Sequence, residues 1–220
     1  MGGMEDMFTR ELTLDSCNKT LTFYQRVVGD VSSVVWDASI VLAKYLDTLA
    51  AIDRNGINWL CGKIVLELGS GLGCVGMTAA CLGAQVYLTD LESALPMLKY
   101  NVKMNEKWKD SGGSVIVQAL DWCTDLSLNT KPDLVVLADC VYYKESIKPL
   151  LDTLDTICKG DKHSEIIFCQ EERNTPGQIP IWQEFIDQLK LRFNVERIPL
   201  SEQHPVYCSS DIHLMKLSKI

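Results

Sequence analysis

ELGSGLGCVG at residues 67–76 is the stretch that decides the fold of this 220-residue chain. It follows KIVLEL at residues 63–68, a short apolar and β-branched run typical of a central parallel strand. A run of small residues comes next and predicts a helix that closes at Gly83. Because Gly69 and Gly71 have no Cβ atom, the chain can turn sharply there and bring backbone N–H groups close to a ligand. The segment therefore predicts a strand, a ligand-binding turn and a helix in direct succession.

Three kinds of glycine turn compete at this position. A dinucleotide fold would show G-x-G-x-x-G, but Cys74 stands at the sixth position and the third glycine comes early, at Gly73. A Walker loop needs Gly-Lys-Ser/Thr, which the sequence lacks. Asp90 lies about twenty residues beyond the turn, at the end of the next predicted strand, where it can accept hydrogen bonds from ribose hydroxyls. The form ExGxGxG, with Glu67 beneath the turn, resembles motif I of the S-adenosylmethionine methyltransferases; a purely structural glycine turn is the alternative.

Strand and helix patterns alternate along the rest of the chain, which favours a doubly wound sheet. Further strands are predicted at residues 85–89, 114–120, 134–138, 166–169, 195–200 and 212–217, and a hairpin at residues 9–14 and 20–25. The last two strands have no helix between them and should pair antiparallel. We therefore expect a single domain over residues 1–220 of the α/β class. The likeness to motif I implies that residues 61–220 form a Rossmann-like, seven-stranded class I methyltransferase sheet with its last strand antiparallel, and we expect residues 1–60 to add a small β-hairpin and helix.

The charge and composition of the chain disfavour several classes of partner and ligand. The net charge of −8 and the pI of about 4.9 repel phosphate backbones, so nucleic acid is a disfavoured substrate. The sequence shows neither a basic-then-apolar leader nor an apolar run of membrane-spanning length, so we expect a soluble cytoplasmic protein without membrane contact. The nine cysteines lack zinc spacing, which favours buried reduced thiols and no metal site. Nothing indicates an extended apolar patch, so we expect a monomer.

The end of the fourth strand should hold the chemistry, because ligands of such sheets lie across the carboxyl ends of the strands. Residues 138–143 read ADCVYY and lack the prolines typical of enzymes that methylate exocyclic base amines. Asp139 and Tyr142 can instead hold a lysine ammonium by charge and cation–π contact. Desolvation beside a sulfonium would then favour the neutral amine, whose ordinary pKa is about 10.4. The alternative is that Asp139 caps the following helix and Tyr142 packs on that helix.

These motifs resemble those of the seven-strand protein-lysine methyltransferases, and the similarity runs from about residue 20 to nearly the end. In order they are VWDA from Val35, ELGSGLGCVG from Glu67, TDLE from Thr89, Asp121-Trp122, ADCVYY from Ala138 and EER from Glu171. The Asp-x-x-Tyr step at Asp139 is a hallmark of that family. VVWDASIVLAKYL and PDLVVLADCVYYKESIKPLL are similar to its valosin-containing-protein lysine methyltransferase branch, although Gln170 stands where that branch favours an aromatic residue.

The resemblance implies a role for each motif residue. Contacts with the cofactor, S-adenosylmethionine released as S-adenosylhomocysteine, are implied for Trp36, Glu67, Gly69, Ser70, Gly71, Asp90, Trp122 and Ala138. Asp139, Tyr142 and Tyr143 would meet the acceptor lysine. Glu171 and Arg173 follow the fifth strand, and we expect them to close the site as an ion pair.

The function implied is a protein-lysine N-methyltransferase that methylates, up to the trimethylated form, a lysine of the AAA ATPase valosin-containing protein. A related lysine methyltransferase acting on a chaperone or a translation factor is the alternative within the same class. A non-catalytic module that keeps the cofactor pocket but only binds its partner is the alternative from another class. A small-molecule methyltransferase would need a lid over the acceptor pocket, and the amino-terminal hairpin and helix are too short to form one.

Overall fold

The computed structural model describes residues 6–52, 58–124, 131–159 and 164–220. Its elements are, in chain order, β1 (Met7–Leu14), β2 (Lys19–Arg26), α1 (Asp37–Ile52), β3 (Ile64–Leu68), α2 (Cys74–Cys81), β4 (Gln85–Asp90), α3 (Leu95–Met104), β5 (Ser114–Ala119), β6 (Leu134–Ala138), α4 (Lys144–Cys158), β7 (Glu165–Glu171), α5 (Ile179–Lys190), β8 (Phe193–Arg197) and β9 (Ile212–Lys219). None of the described helices combines the length and apolarity needed to span a membrane.

The large sheet has seven strands in the order β5-β4-β3-β6-β7-β9-β8. β9 runs antiparallel to both of its neighbours, and the pairs from β5 to β7 are parallel. This confirms the predicted class I methyltransferase sheet, its antiparallel last strand and the amino-terminal hairpin. The strand order reverses between β3 and β6, which creates the crevice at which ligands of open α/β sheets bind.

Some predicted boundaries differ from the observed ones. β8 begins at Phe193 and ends at Arg197, two to three residues earlier than predicted, because Pro199 cannot donate to the ladder. The apolar spacing of Trp182, Phe185 and Leu189 predicts a helix. The observed helix α5 begins earlier, at Ile179, with Pro180 in the first turn, where its missing N–H costs nothing. The sequence also predicts that Gly160 ends the helix α4, because glycine favours the residue after a helix end, but Gly160 lies outside the described residues. The division of the chain at residue 60 stays a prediction.

Helix α2 lies unusually close to the sheet. All of its eight residues are buried, and at Gly76 an added Cβ atom would lie 2.2 Å from Leu88 Cδ2 and 2.7 Å from Glu67 Oε2. Only glycine permits this approach. The helix therefore begins directly over β3 and β4, and the turn that precedes it is pressed against the carboxyl ends of those strands.

Glu67 lies beneath that turn and binds the first turn of α2. Its Oε2 accepts the Gly76 N–H at 2.9 Å, and the residue is 3% exposed. Burial raises the pKa of this carboxyl from 4.5 to about 8, against the opposing effect of the N–H donors. Ser70 fastens the turn to β4, since its N–H donates to the Thr89 carbonyl at 2.9 Å and its Oγ accepts the Thr89 N–H at 3.0 Å.

The hairpin is docked on α3 by two buried asparagine amides that act as an extra strand. Asn101 accepts the Tyr24 N–H at 2.8 Å and donates to the Tyr24 carbonyl at 3.0 Å. Asn105, one helical turn later, makes the same pair of bonds with Thr22 at 2.7 and 2.8 Å. The outer edge of β2 is therefore satisfied by side chains, and the hairpin has a fixed position against α3.

A second attachment joins the hairpin turn to α1. Asp47 is 2% exposed and accepts the N–H groups of Asp15 and Ser16 at 2.8 and 3.1 Å. Lys44, also 2% exposed, donates to the Thr13 carbonyl at 2.5 Å and to the Asp15 carboxylate at 2.7 Å. The hairpin is therefore held at both α3 and α1. Because β2 and α1 have fixed positions, both ends of the segment that connects them are fixed as well.

We expect Asn101→Ala to lower the free energy of unfolding by about 2 kcal/mol, because a buried amide is removed and two partly buried backbone groups of Tyr24 lose their partner. Amide hydrogen exchange at Tyr24 should accelerate more than exchange in β6. Urea denaturation and exchange measured by NMR check both effects. Lys103→Ala, on the exposed side of the same helix, is the control and should stay within about 0.5 kcal/mol of the parent. Equal stability of the two variants would contradict the docking role.

We expect Glu67→Gln to change how stability depends on pH. Because the pKa of Glu67 is raised to about 8 in the folded protein, its protonated form favours the fold below pH 4.5, and that contribution is lost as pH rises through 8. Glutamine keeps the amide oxygen for the Gly76 N–H and has no proton to lose. Between pH 5 and pH 9 the variant should gain more than about 1 kcal/mol over the parent. Urea titrations at both pH values measure this, and parallel pH curves would refute it.

Candidate active site

A cavity of about 300 Å³ opens at the carboxyl ends of β3 and β6. Its walls come from the glycine turn, the ends of β4, β5 and β6, the first turns of α4 and the segment 31–36. Ten predicted site residues line it: Trp36, Gly69, Ser70, Gly71, Asp90, Trp122, Ala138, Asp139, Tyr142 and Tyr143. Three others do not reach its wall: Glu67 lies beneath the turn, and Glu171 and Arg173 lie behind Asp139. The strand order thus brings together residues that are up to 107 positions apart in the sequence.

The glycine turn needs glycine at both predicted positions. Gly69 and Gly71 have φ of +62° and +53°, in the left-handed region that L side chains rarely adopt. A Cβ atom on Gly69 would also lie 2.9 Å from Cys140 Sγ and 3.4 Å from the Trp122 ring. The indole of Trp122 therefore rests directly on the turn, as one wall of the cavity.

Asp90 closes the turn from the β4 side. One carboxylate oxygen accepts the Gly71 N–H at 2.7 Å and the other accepts the Leu91 N–H at 2.7 Å. Burial raises the pKa of this carboxyl, and the two N–H donors oppose the rise. Each oxygen can accept a second hydrogen bond, and the residue lines the cavity. This arrangement fits a ligand with two neighbouring hydroxyl groups, such as the ribose of a nucleoside, with the Trp122 ring available for the base.

The segment 31–36 forms part of the cavity wall. Trp36 Nε1 donates to the Val31 carbonyl at 2.8 Å, which closes the segment into a loop. Val35 N–H donates to the buried side chain of Gln25 in β2 at 2.7 Å, so the loop is anchored in the docked hairpin. The Trp36 ring is 37% exposed and carries the Arg173 guanidinium 5.0 Å from its centroid. Trp36 is thus a wall residue held from both sides.

Asp139 occupies a left-handed conformation directly after β6, with φ of +57°. Its side chain is 2% exposed, and the Arg173 guanidinium binds both carboxylate oxygens at 2.5 and 3.2 Å. Arg173 also binds Glu171 at 3.0 Å, so the predicted Glu171–Arg173 ion pair exists and extends to Asp139. Helix α4 begins at Lys144, after an N-cap at Tyr143 that uses no side-chain bond. The alternative in which Asp139 caps α4 is therefore wrong, because the carboxylate points to Arg173.

Gln170 is a partner of Asp139 that sequence reasoning did not assign. It is 1% exposed, its Nε2 donates to Asp139 Oδ1 at 2.8 Å, and its Oε1 accepts the Val141 N–H at 3.0 Å. The amide thereby fixes the chain on both sides of Cys140. The available signal was a polar residue inside the otherwise apolar run of β7, since a buried amide needs partners.

Aromatic and acidic groups form the mouth of the cavity. The rings of Tyr142 and Tyr143 lie 4.6 Å apart, inclined by 59°. Tyr142 is half-buried, and burial raises the pKa of its hydroxyl to about 12; Tyr143 is 54% exposed. Glu145, in the first turn of α4, also lines the mouth and was not predicted as a site residue. The mouth can therefore receive a cation, and the cavity behind it can receive a nucleoside.

Comparison with known proteins agrees with this geometry. Residues 15–190 match a family described as lysine methyltransferase. The protein N-lysine methyltransferase METTL21A of Danio rerio is 35% identical over 195 residues, which cover 86% of this chain and 78% of that protein. METTL21A of Mus musculus is 30% identical over 221 residues, which cover 99% of this chain and 91% of that protein.

Among solved structures, a TehB-like SAM-dependent methyltransferase from Corynebacterium glutamicum aligns with a TM-score of 0.57. The aligned region covers 86% of this chain and 90% of that one at 16% sequence identity, so the likeness is one of fold. The match over residues 15–190, together with relatives that cover most of both chains, shows that the protein belongs to the lysine methyltransferase family and has the class I methyltransferase fold.

Proposed function

We propose that this protein-lysine N-methyltransferase transfers the methyl group of S-adenosylmethionine to a lysine of the AAA ATPase valosin-containing protein and releases S-adenosylhomocysteine. The observation that carries the proposal is one cavity that is lined by both sets of groups, the motif I turn with Asp90 and the Asp-x-x-Tyr step after β6. The turn and Asp90 would hold the donor at a cofactor end, and the Asp-x-x-Tyr step would meet the lysine at an acceptor end. A donor held at the first end and a lysine entering at the second would meet between them.

At the cofactor end the chain's own groups position a nucleoside. Asp90 would accept the ribose hydroxyls, Trp122 would stack on the adenine, and Trp36 would close the opposite side. Gly69, Ser70, Gly71 and Ala138 supply a wall of backbone and small side chains that permits close approach. The bound cofactor supplies a methyl carbon that its sulfonium makes electrophilic. Glu67 acts beneath the turn, by holding α2 in place.

At the acceptor end the site must hold a lysine and favour its neutral form. The faces of Tyr142 and Tyr143 can bind the ammonium by cation–π contact as it enters. The buried cavity and a neighbouring positive charge then lower the pKa of the amine, and the proton leaves to solvent. Asp139 forms an ion pair with Arg173 and thereby fixes the path of the chain from Ala138 to Tyr142. This fixed path would orient the lysine nitrogen in line with the methyl carbon.

The substrate within the proposal rests on the runs VVWDASIVLAKYL and PDLVVLADCVYYKESIKPLL, which resemble the branch of the family that acts on valosin-containing protein. A chaperone or a translation factor is the alternative acceptor, because the same site would serve any protein lysine presented in an accessible segment. Monomeric action on that substrate is part of the proposal. The intact Asp139, Tyr142 and cofactor turn support an enzyme rather than a non-catalytic binding module.

The test is a methyl-transfer assay with labelled S-adenosylmethionine and unmethylated recombinant valosin-containing protein, followed by mass spectrometry of the labelled peptide. We expect label on one lysine and a loss of at least about tenfold in kcat/KM for Asp139→Asn, since that variant breaks the ion pair with Arg173. Asparagine tolerates the left-handed conformation at this position, so the fold should persist. Binding of S-adenosylhomocysteine to the variant by calorimetry is the control.

Label on a chaperone or translation factor alone would replace the proposed substrate and keep the reaction. No label on any protein, together with full cellular function of Asp139→Asn, would favour the non-catalytic module and overturn the proposal.

Tyr142→Phe tests the chemical role of the acceptor tyrosine. Because the pKa of Tyr142 is raised to about 12, its hydroxyl stays protonated between pH 7 and pH 10 and acts only by hydrogen bonding and packing. We expect kcat to fall by roughly two- to tenfold while the pH–rate profile keeps its shape. Tyr100→Phe, on α3 beside the hairpin, is the matched control. A profile shifted in Tyr142→Phe would mean that Tyr142 ionises and that its phenolate accepts a proton during the reaction.

A further inference from the structure

Four carboxylates and no lysine, arginine or histidine line the part of the cavity that the structure describes: Asp90, Asp121, Asp139 and Glu145. Three of them have partners inside the protein. Asp90 and Asp121 accept backbone N–H groups, and Asp139 binds the guanidinium of Arg173. Each of these three carboxylates therefore makes at least one bond that helps to hold a wall of the site.

Glu145 differs from the other three. It is exposed, lies in the first turn of α4 and faces the cavity mouth. The two basic residues nearest to it on the helix bind elsewhere: Lys144 binds Glu184 at 2.9 Å and Lys148 binds Asp152 at 2.5 Å. Within the described ranges of the chain, no basic group lies at ion-pair distance from the Glu145 carboxylate. This carboxylate is thus available to a cation that arrives from outside.

The surroundings of Glu145 suit a primary ammonium. Tyr142 and Tyr143 immediately precede α4 and line the same mouth, with their rings 4.6 Å apart. An ammonium group combines a compact charge with three N–H donors, so it can bind a carboxylate and an aromatic face together. The Asp139 carboxylate cannot bind an ammonium in this way, because it is 2% exposed and both of its oxygens already bind Arg173.

We infer that Glu145 binds the ammonium group of the acceptor lysine at the mouth of the cavity and so determines the preference for a cationic acceptor. This inference rests on the proposed function. Glu145 receives the protonated side chain from solvent, beside Tyr142 and Tyr143. The amine then moves inward, loses its proton to water and meets the methyl carbon. Glu145 therefore contributes to capture of the substrate, and the transfer step depends on the groups deeper in the cavity.

A structural role for Glu145 predicts different behaviour. A carboxylate in the first turn of a helix interacts favourably with the helix dipole, so its loss would lower the melting temperature without a selective effect on the protein acceptor. Substrate capture predicts the reverse, a raised KM at unchanged stability. The two roles are therefore separable by measurement.

The experiment compares the parent enzyme with Glu145→Gln and Glu145→Lys, using unmethylated valosin-containing protein as acceptor, or the chaperone or translation factor that the parent labels instead. Asp110→Asn is the matched control, because it removes one exposed negative charge in a segment that does not line the cavity. For Glu145→Gln we expect KM for the acceptor to rise on the order of tenfold, as for loss of a charged hydrogen bond. We expect kcat within about twofold of the parent, a larger KM in Glu145→Lys, and an effect that shrinks at high salt.

Calorimetric Kd for S-adenosylhomocysteine and the melting temperature should be unchanged in Glu145→Gln. An unchanged KM in an active enzyme would overturn the role of Glu145 and leave the proposed function intact. So would a lower melting temperature with a lower kcat and no selective KM effect, which identifies a helix role, or an equal KM rise in Asp110→Asn. A parent enzyme that methylates no lysine would overturn the proposed function and this inference with it.

Discussion

The close approach of helix α2 to strands β3 and β4 is the constraint on which the rest of the structure depends. It exists because Gly76 has no Cβ atom, which would otherwise lie 2.2 Å from the Leu88 side chain. The same approach encloses Glu67, whose carboxyl reaches the Gly76 N–H and has a pKa raised to about 8 by burial. The glycine turn is consequently pressed against the ends of two strands. Where the sheet order reverses beside it, between β3 and β6, the chain cannot fill the space, and the cavity opens there.

The opposite side of the cavity is held by a chain of contacts through Arg173. Its guanidinium binds Asp139 at the end of β6 and lies over the ring of Trp36 in the segment 31–36. One cation therefore joins the chain that follows β6 to that segment of the cavity wall. That segment is in turn anchored in a hairpin docked by the amides of Asn101 and Asn105. The amino-terminal residues thus complete the cavity, and their distance from the glycine turn in sequence does not measure their distance in space.

Most of the predicted site residues share one cavity, because motif residues stand at strand ends and parallel strands end at one edge of the sheet. The sequence did not predict which other side chains bind those site residues. Gln170 carries no motif, and its bonds to Asp139 depend on β7 lying beside β6. Arg173 was expected to pair with Glu171 alone, yet it also binds Asp139 across 34 positions. Glu145 belongs to no motif, and its position shortly after the two tyrosines was not enough to predict a site residue. Pairings between strands distant in sequence follow from register and topology, which residue patterns do not contain.

The sequence by itself determined the fold class, the alternation of strands and helices along the chain, the glycine turn and the antiparallel last strand. These follow from local rules: β-branched runs form buried strands, glycine permits left-handed turns, and two strands without a helix between them pair antiparallel. Only the tertiary structure decided which carboxylates at the cavity have a charged partner within the described part of the protein. Asp139 looks in sequence like the residue that meets a cation, but folding buries its carboxylate and brings Arg173 onto it, while both lysines beside Glu145 bind elsewhere. Whether a charge is free depends on every group that the fold brings within a few ångströms of it, and that is a property of the assembled structure.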